Sequence, residues 1–560
     1  MTPVRNILFI MADQLRWDHL GCYGHPHLET PNIDRLAARG VRFDRAYVQS
    51  PVCGPSRASF YTGRTVFSHG ATWNRVPLPV GEWTLGDYLR PLGFRVAVAG
   101  KTHMMPDVEG MARLGLDRDA GPGRLVAEAG FEPWERDDGL HPGPLLRRRG
   151  GRLAYNDWLR ARGYPGENPW EEWANSGEGP GGEIRSGWYL RNSALPARVR
   201  EAHSETAYTT MRARQFIEAA GAERWLCHLS YIKPHWPYVA PAPYHAMYGP
   251  DSFLPVHRHE AERRDPNPVY RAFMEMEVSR TFSAQGVRET VLPAYMGLIR
   301  QIDDHLGRLF AWLEETGRDR DTMIVFTSDH GDYLGDHWLG EKELFHECSV
   351  RIPLIILDPR PEADATRGTA CDAPVEAIDL LPTFIEAAGG VPPAHRLEGR
   401  SLVPLLHGAR PPRLARRGVL GDRLRLLCRA RDAGRGPVRG ARLHAAHRGL
   451  EIRPFPPFPA AAARPAQRSR RVLRPRPRSG PRGGAPRDAG PPDRTADRAP
   501  QPGHHDRCRG HRPARGRGGR GHHHRPVGGR PAALSPRRGR GVDFRRASPS
   551  IGAERDGARP

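Results

Sequence analysis

The sequence predicts an α/β fold in which a β-sheet carries helices on both faces. Short apolar runs, typical of buried strands, alternate with stretches of helical character between residues 4 and 388. Such an alternation places helices on both faces of a sheet. Polar residues also follow directly where several of these strands end, which is the edge where open α/β sheets bind their ligands.

The first elements follow one another closely. Residues 4–11 form an apolar run that predicts a buried strand, and Asp13 comes just after it. Thr30 and Pro31 favour the start of a helix, which we expect to end at Gly40. Further strands are predicted at 41–48 and 94–99, and a further helix at 84–92.

Residues 106–200 interrupt the alternation, because they are rich in Gly, Trp and Arg and show little periodicity. We predict long loops or an insertion here. Beyond them, the chain predicts helices at 205–220, 295–313 and 377–388, and strands at 225–232, 322–327 and 351–357. Asp303, Asp304 and His305 lie in one of these helices. They could resemble a metal cluster, but a solvated helix face is the favoured interpretation.

Residues 51–64 predict a helix start that could bind an anion. Pro55 suits the first helical turn, and Gly63 can cap the end. Cys53 would then lie where unpaired N–H groups meet the positive end of the helix dipole. Arg57, one turn further on, would direct its guanidinium at the same region. Such a cysteine is a candidate nucleophile. The alternative is that Cys53 is buried and inert, which is the more common state of a lone cysteine.

The same stretch matches a longer signature, C-x-P-S-R-x-x-x-x-T-G-R, at Cys53, Pro55, Ser56, Arg57, Thr62, Gly63 and Arg64. On these residues the chain resembles the sulfatase family, within the alkaline phosphatase superfamily, and the resemblance extends over residues 4–420. It implies a large mixed β-sheet flanked by helices on both faces, followed by a small C-terminal antiparallel sheet. It also implies that a maturation enzyme oxidises Cys53 to formylglycine, an aldehyde whose hydrate is the nucleophile.

Four polar residues at two strand ends are candidate metal ligands. Asp13 and Gln14 follow the first predicted strand. Asp329 and His330 follow a later one. Carboxylate and amide oxygens suit a hard divalent cation, and a histidine nitrogen shifts the preference towards manganese. The resemblance implies that these four residues and the modified Cys53 bind one metal, usually calcium.

Two of these ligands depart from the common sulfatase pattern. Many members of the family have Asp where this chain has Gln14, and Asn where it has His330. Choline sulfatases and phosphonate monoester hydrolases resemble the variant in this chain. Mn²⁺ is therefore kept as an alternative to Ca²⁺.

Lysine is rare, since the chain has only Lys101, Lys233 and Lys342, each within a few residues of a candidate motif. Arginine cannot replace a compact ammonium that fits a small oxyanion or exchanges a proton. By resemblance, Lys101 and His103 form a K-x-H motif that holds the aldehyde hydrate and assists its turnover. Lys342 and His235 match residues that contact the substrate anion and the leaving group. Lys233 has no such match and is predicted to be structural.

The resemblance implies two further residues and a reaction scheme. Asn74 and Thr102 resemble substrate-binding residues of phosphonate hydrolases, and a buried polar cap is the equal alternative for each. The metal would polarise the ester and lower the pKa of one hydroxyl of the hydrated aldehyde. That hydroxyl would attack sulfur or phosphorus and displace the alcohol, which needs a proton or a positive partner to leave. The second hydroxyl would then lose its proton, which restores the aldehyde and expels the inorganic anion. Residues 106–200 would lie over the active site and choose the ester alcohol.

The net charge of +22 comes from one end of the chain. Residues 421–560 carry 35 Arg, no Lys and 10 acidic residues, a net charge of +25, whereas the rest has a charge of −3. The body of the protein is therefore not predicted to bind nucleic acid specifically. Tyr, Asn, Trp and Met are also missing from residues 421–560, and no apolar periodicity is present, so we predict a disordered segment.

Two origins of this basic tail are considered. It could be a disordered arm that binds nucleic acid or anionic surfaces. The favoured alternative is an out-of-frame translation of GC-rich DNA, because the C-terminal sheet of the family should begin near residue 421 and is missing. We therefore predict a catalytic domain at 1–420 and a low-complexity tail at 421–560.

The cysteines and the N-terminus predict the compartment. Seven cysteines are present without any C-x-x-C pair, which fits a reducing compartment. The first residues enter a strand at once instead of forming a signal peptide, and no apolar run reaches the length of a membrane span. We predict a soluble, cytoplasmic protein that does not contact a membrane.

The sequence thus predicts a hydrolase that cleaves small-molecule sulfate esters through formylglycine and one divalent metal. Lys101 and His103 favour sulfate, while Gln14 and His330 leave phosphorus open. The alternative is a hydrolase of phosphonate monoesters or phosphodiesters with the same site. A third possibility is an inactive, truncated product whose tail binds polyanions.

Overall fold

The computed structural model describes residues 2–139 and 153–409. Its strands are β1 (Asn6–Asp13), β2 (Val41–Tyr47), β3 (Phe94–Gly100), β4 (Glu132–Arg136), β5 (Ser176–Glu178), β6 (Ile184–Ser186), β7 (Arg224–Pro234), β8 (Thr322–Ser328), β9 (Arg351–Leu357), β10 (Thr369–Cys371) and β11 (Val375–Glu376). Its α-helices are α1 (Pro31–Arg39), α2 (Cys53–Thr62), α3 (Val66–His69), α4 (Leu85–Leu89), α5 (Val108–Arg113), α6 (Gly121–Ala127), α7 (Ala154–Arg160), α8 (Glu205–Ala220), α9 (Ala261–Arg264), α10 (Pro268–Met274), α11 (Glu277–Ser283), α12 (Val287–Glu315), α13 (Glu347–Val350), α14 (Leu380–Ala387) and α15 (Val403–Leu406).

Nine strands form one mixed sheet in the order β10-β2-β9-β8-β1-β7-β3-β4, with β11 paired to β2. From β8 to β4, each strand is parallel to its neighbour, whereas β9 runs antiparallel to both β8 and β2. In register, Phe9 of β1 lies between His228 of β7 and Val325 of β8. Because the five parallel strands end at the same edge, the residues that follow them can converge on one site.

Each face of the sheet is covered by its own apolar cluster. In β1, Ile7, Phe9 and Met11 belong to one cluster, and Leu8 and Ile10 belong to the other, as expected for a strand whose side chains alternate. Residues of α2 and α14 cover the first face, and residues of α1, α8 and α12 cover the second. Burial on both faces explains why the sequence of β1 is a continuous apolar run. The predicted α/β fold with a large mixed sheet is confirmed.

Most predicted elements are confirmed with small changes at their ends. The helix expected to end at Gly40 is α1, and the strand at 351–357 is β9. The helix predicted at 205–220 is α8. The region predicted as one helix at 84–92 instead divides into α4 and a 3₁₀ turn, Arg90–Leu92.

The prediction of long loops for residues 106–200 is wrong in one respect, because β4 lies there and joins the main sheet beside β3. The strand was missed because its sequence, Glu-Pro-Trp-Glu-Arg, is polar, as suits an edge strand that is only partly buried. Residues 153–200, here called the aromatic segment, contain α7, a π-helical turn and the β5–β6 pair. They pack around a separate cluster that includes Tyr155 and Trp170.

The prediction of a solvated face for Asp303, Asp304 and His305 is also wrong. Asp303 is fully buried, and its carboxylate accepts hydrogen bonds from the backbone N–H groups of Asn32 and Ile33 at the start of α1. His305 is buried too and contacts Glu201. These residues are enclosed because α12 lies against both α1 and α8, so polar side chains on it serve as caps and buried pairs.

The predictions for residues 421–560 lie outside the described residues, and so does any C-terminal antiparallel sheet that follows residue 409. Within residues 2–139 and 153–409, no helix combines the length and the apolar character needed to cross a membrane.

Candidate active site

Cys53 lies at the first residue of α2, where the helix begins beneath the carboxyl edge of the sheet. The helix is buried along its whole length and ends at Gly63, whose φ of 64° is the left-handed conformation that favours glycine. The next backbone N–H, from Gly54, donates to Oδ1 of Asn74 over 2.8 Å. The predicted helix start is confirmed, and the half-buried side chain of Asn74 accepts this bond at its first turn.

Asp13, Asp329 and His330 surround Cys53. The Sγ atom of Cys53 lies 3.0 Å from Nε2 of His330 and 3.8 Å from Oδ1 of Asp13. One ligand atom from each of these four residues lies within 4.8 Å of the others, and all four side chains are buried. The group is thus compatible with a single metal ion.

The histidine of this group is oriented as a metal ligand requires. Nδ1 of His330 donates to the backbone carbonyl of Gly331 over 2.9 Å, so Nε2 is left to face Cys53 and the carboxylates. Burial lowers the pKa of His330, but Asp329 and Cys53 outweigh it and raise the pKa to about 9. Two carboxylates and one imidazole form a donor set that fits a hard divalent cation such as Ca²⁺ or Mn²⁺.

Arg57 holds the two carboxylates in place. Its Nε donates to Oδ2 of Asp329 over 2.8 Å, and Nη2 donates to Oδ2 of Asp13 over 3.2 Å. Nη1 bonds the carbonyl of Lys101 and Oγ of Ser230, both at 2.8 Å. The guanidinium is fully buried. Arg57 therefore lies beside the group around Cys53, and its donors bond the two ligand carboxylates, Ser230 of β7 and the carbonyl of Lys101.

Lys101, Thr102 and His103 form the turn that follows β3. The ammonium of Lys101 pairs with Asp13 and is buried. The backbone N–H groups of Thr102 and His103 both donate to Oδ1 of Asp138 over 3.0 Å. His103 has a φ of 55°, a strained value for a side chain with a Cβ, so the turn depends on these bonds.

Gln14, His235 and Lys342 form a second group beside the first. Nζ of Lys342 donates to Oε1 of Gln14 over 2.6 Å and to Nε2 of His235 over 2.9 Å. His235 must then carry its proton on Nδ1, which donates to the carbonyl of Trp236. Burial and the neighbouring Lys342 lower the pKa of His235, which agrees with a neutral imidazole. The amide nitrogen of Gln14 is bonded to Asp332 and Tyr238, so its oxygen is the atom that remains for a cation.

The two groups create a strongly positive environment around Cys53. Burial by itself raises the pKa of the Cys53 thiol, but Lys342, Lys101 and His330 outweigh it and hold that pKa well below its usual range. The site therefore favours an anion at this position, which suits a developing negative charge on an ester substrate.

The structure adds residues that the sequence did not single out. Asp138 follows β4, and Asp332 and Tyr238 hold the amide of Gln14. Asp138 is a polar residue at the carboxyl end of a parallel strand, as Asp13 and Asp329 are. A prediction of β4 from the sequence would therefore have identified Asp138 as a candidate. Asp332 and Tyr238 lie in loops without periodicity and gave no such signal.

The comparisons with known proteins agree with this geometry. A profile of the sulfatase family matches residues 5–391. The chain is 33% identical over 430 residues to the multifunctional alkaline phosphatase superfamily protein PehA of Trinickia caryophylli, with 73% of this chain and 78% of that protein covered. It is 28% identical over 428 residues to an arylsulfatase of Clostridium perfringens, with 72% and 78% covered.

A solved structure supports the same relationship. The phosphonate monoester hydrolase SpPMH from Silicibacter pomeroyi is 30% identical, with a TM-score of 0.61 over 73% of this chain and 78% of that chain. The signature on α2, the mixed sheet and the profile match lead to one conclusion. The chain belongs to the sulfatase family.

Proposed function

We propose that this protein hydrolyses sulfate esters of small molecules, using formylglycine at position 53 and one divalent cation. The observation that carries the proposal is the position of Cys53 at the start of α2, within 3.0 Å of His330 and 3.8 Å of Asp13. A nucleophile there is adjacent to a buried group of metal-ligating type. The small-molecule ester and a maturation enzyme acting on Cys53 are the partners that this proposal requires. The sparse cysteines of the sequence support a cytoplasmic location.

In this proposal Asp13, Asp329 and His330 hold the cation, together with Gln14 and the modified residue 53. Ca²⁺ is the leading candidate and Mn²⁺ the alternative. When bound, the cation supplies electrophilic polarisation of the ester oxygens. Arg57 keeps the two carboxylates in position through its bonds to Asp13 and Asp329.

The remaining polar residues act at two different parts of the ester. Lys101 and His103 act near residue 53, where they orient the nucleophile and move its protons. On the opposite side, Lys342 and His235 bind the ester oxygens and supply a proton or positive charge to the leaving alcohol. Lys342 donates to the neutral imidazole of His235, so the ammonium of Lys342 is the positively charged group of this pair. Asn74 and Thr102 would contact the substrate anion.

Hydrolysis of phosphonate monoesters is the second candidate function. Gln14 and His330 take the places where many sulfatases have Asp and Asn. The 30% identity to SpPMH, a phosphonate monoester hydrolase, also favours this candidate. Sulfate and phosphonate monoesters present similar oxyanions to the same lysines, so one site could accept both.

The experiment is an assay of the full-length chain, expressed with a maturation system, on an aryl sulfate and on a phenyl phosphonate ester. We expect peptide mass analysis to find the aldehyde at residue 53 and turnover to need a divalent cation. Cys53→Ala should be inactive, and Cys53→Ser greatly impaired, because an alcohol cannot form the hydrate. Asp329→Ala should lose the cation, while the surface variant Asp364→Ala should keep it. Full activity of Cys53→Ala, or of chelated protein, would refute the proposal.

A further inference from the structure

Lys233 is the one lysine for which the proposed reaction has no use. Lys101, Lys233 and Lys342 are the only lysines in the sequence, and all three are buried. Lys101 and Lys342 contact the proposed site directly. Lys233 lies at the end of β7, two residues before His235. A buried ammonium is costly unless it is hydrogen-bonded, so the bonding partners of Lys233 indicate its role.

The ammonium of Lys233 bridges two parts of the chain. Nζ donates to the backbone carbonyl of Pro237 over 2.9 Å and to Oδ1 of Asn175 over 2.7 Å. Pro237 closes the turn that carries His235 and Trp236, here called the His235 turn (residues 234–238). Asn175 belongs to the aromatic segment. Lys233 thus connects the His235 turn to the aromatic segment.

Asn175 is itself fixed within the aromatic segment. Its side-chain amide donates to the carbonyl of Trp170 over 3.0 Å, and its own carbonyl accepts the N–H of Gly187 over 2.9 Å. The next residue, Trp188, packs edge-on against Trp236 with ring centroids 4.7 Å apart. A hydrogen-bonded contact and an aromatic contact therefore join the same two parts of the chain.

The His235 turn needs such a support because the hydrogen bond between His235 and Lys342 depends on the position of this turn. Nε2 of His235 accepts from Nζ of Lys342, which also bonds Gln14. Lys342 lies in a loop where Leu334, Glu341 and Glu343 all have a φ of 47° or more, so the loop itself is strained. A shift of the His235 turn would separate His235 from Lys342.

Within residues 2–139 and 153–409, Lys233 forms no direct ion pair, and a carboxylate acts on its charge only from a longer distance. Burial lowers the pKa of Lys233 to about 8, and the carboxylate of Glu205 partly opposes this shift. Glu205 is buried and accepts from the indole of Trp170, so it too belongs to the contact with the aromatic segment. An arginine, with a longer and planar head group, could not present one compact donor to both oxygens.

We propose that Lys233 is a positioning residue, whose ammonium ties the His235 turn to the aromatic segment and thereby sets His235 against Lys342. This inference deepens the proposed function and rests on it, since His235 and Lys342 are the groups assigned to the leaving alcohol. The aromatic segment then affects the reaction through Lys233 without touching the reacting atoms.

The test is Lys233→Met in the full-length chain, which keeps the aliphatic length and removes the ammonium. With a series of aryl esters, we expect kcat to fall about a hundredfold for alcohols that leave poorly, and less than about tenfold for nitrophenol, which needs no proton. The matched control is Tyr164→Phe, because Tyr164 is buried in the aromatic segment and its hydroxyl bonds His203 instead of Trp170 or Asn175. It should affect all esters equally. An equal loss across the series for Lys233→Met, or no loss, would overturn the proposal.

A crystal structure of Lys233→Met decides the question without any assay. We expect Nε2 of His235 to move beyond hydrogen-bond distance of Nζ of Lys342, and an unchanged His235 turn would overturn the proposal. If the wild-type protein hydrolyses neither type of ester, the proposed function fails, and this structural measurement still judges Lys233. Should Lys233→Met not fold, Asn175→Ala breaks the same bridge from its other end, and the same readouts apply.

Discussion

Arg57 illustrates how one buried side chain supports the chemistry of others. Its guanidinium bonds both candidate ligand carboxylates as well as Ser230 and the carbonyl of Lys101. A lysine has one donor head and cannot reproduce this fork. The four bonds at this position of α2 therefore require the branched head group of an arginine.

We expect Arg57→Lys to lower the free energy of unfolding by about 3 kcal/mol, because a lysine cannot bond both buried carboxylates and the two neutral acceptors at once. Cation affinity should fall as well. Thermal unfolding and titration with Ca²⁺ or Mn²⁺ measure the two effects. The control is Arg64→Lys, since Arg64 is partly exposed and pairs with Glu82 at the end of the same helix. Comparable losses in both variants would contradict the assigned role of Arg57.

The buried carboxyl of Asp137 should make the stability of the protein depend on pH. Burial, and then the neighbouring Glu205, raise the pKa of Asp137 well above its usual value of 3.8. One of its oxygens bonds the N–H of Gly139, while Oδ2 has no hydrogen-bond partner in the part of the chain described. The folded protein therefore binds this proton more tightly than the unfolded chain. The stability that it contributes is complete below pH 3.8 and is lost as the pH rises through the raised pKa.

The side chain in the variant Asp137→Asn stays neutral at every pH, so the variant does not lose this stability as the pH rises. At pH 8 we expect it to be more stable than the wild-type protein by on the order of 1–3 kcal/mol, with a difference that shrinks towards pH 4. Denaturant unfolding at several pH values measures the difference. The exposed control Asp364→Asn should show no such trend. A stability difference that does not change with pH would contradict the raised pKa of Asp137.

At the scale of elements, the edge strand β4 supports the site from behind β3. Asp138, just after β4, accepts from the N–H groups of Thr102 and His103, and Arg136 pairs with Asp138 and bonds the carbonyl of Met104. The residues that follow β4 therefore hold the turn that follows β3. This arrangement keeps His103 in its left-handed conformation.

We expect Asp138→Ala to lower kcat/KM about tenfold on the better ester substrate, because the turn that carries Lys101 and His103 loses its acceptor. Asp138→Asn keeps an oxygen at that place and should lose less. Steady-state kinetics and thermal unfolding, measured together, separate a displaced turn from general instability. Equal kinetics for the two variants would mean that the acceptor does not position the turn.

At the scale of the whole molecule, the charge is divided between two parts of the sequence. Residues 421–560 hold a net charge of +25, whereas the rest is near neutral at −3. All the candidate site residues precede residue 421, so the proposed chemistry does not draw on the basic tail. We propose that this tail arises from a change of reading frame.

The coding DNA tests this proposal directly. Read in the other two frames beyond residue 420, it should contain strand-like segments with Tyr, Trp and Lys, as a sulfatase C-terminus does. If neither frame contains them, the frameshift proposal is wrong. The tail should then bind polyanions with an affinity that falls steeply with salt, because phosphate contacts release counterions. A chain ending at residue 420 is the control and should lack that affinity.

The sequence by itself determined the elements that depend on neighbouring residues. The apolar runs of β1, β7 and β9 follow from burial on both faces, and the helix start at Cys53 follows from its own signature. Because parallel strands end at one edge, the approach of Asp13 to Asp329 could be expected from their positions after two such strands. These features are local, or follow from rules that hold for every open α/β sheet.

Only the tertiary structure decided which polar groups meet across long separations. Lys342 reaches Gln14 from 328 residues away, and Lys233 meets Asn175 from a segment without periodicity. The structure also shows which partners Arg57 bonds, the carboxylates of Asp13 and Asp329, and that Asp303 bonds the start of α1 instead of facing solvent. Such contacts depend on how loops and insertions pack on the sheet. The direction of a side chain there is set by the space and the hydrogen-bond partners around it. A local sequence pattern does not contain this information.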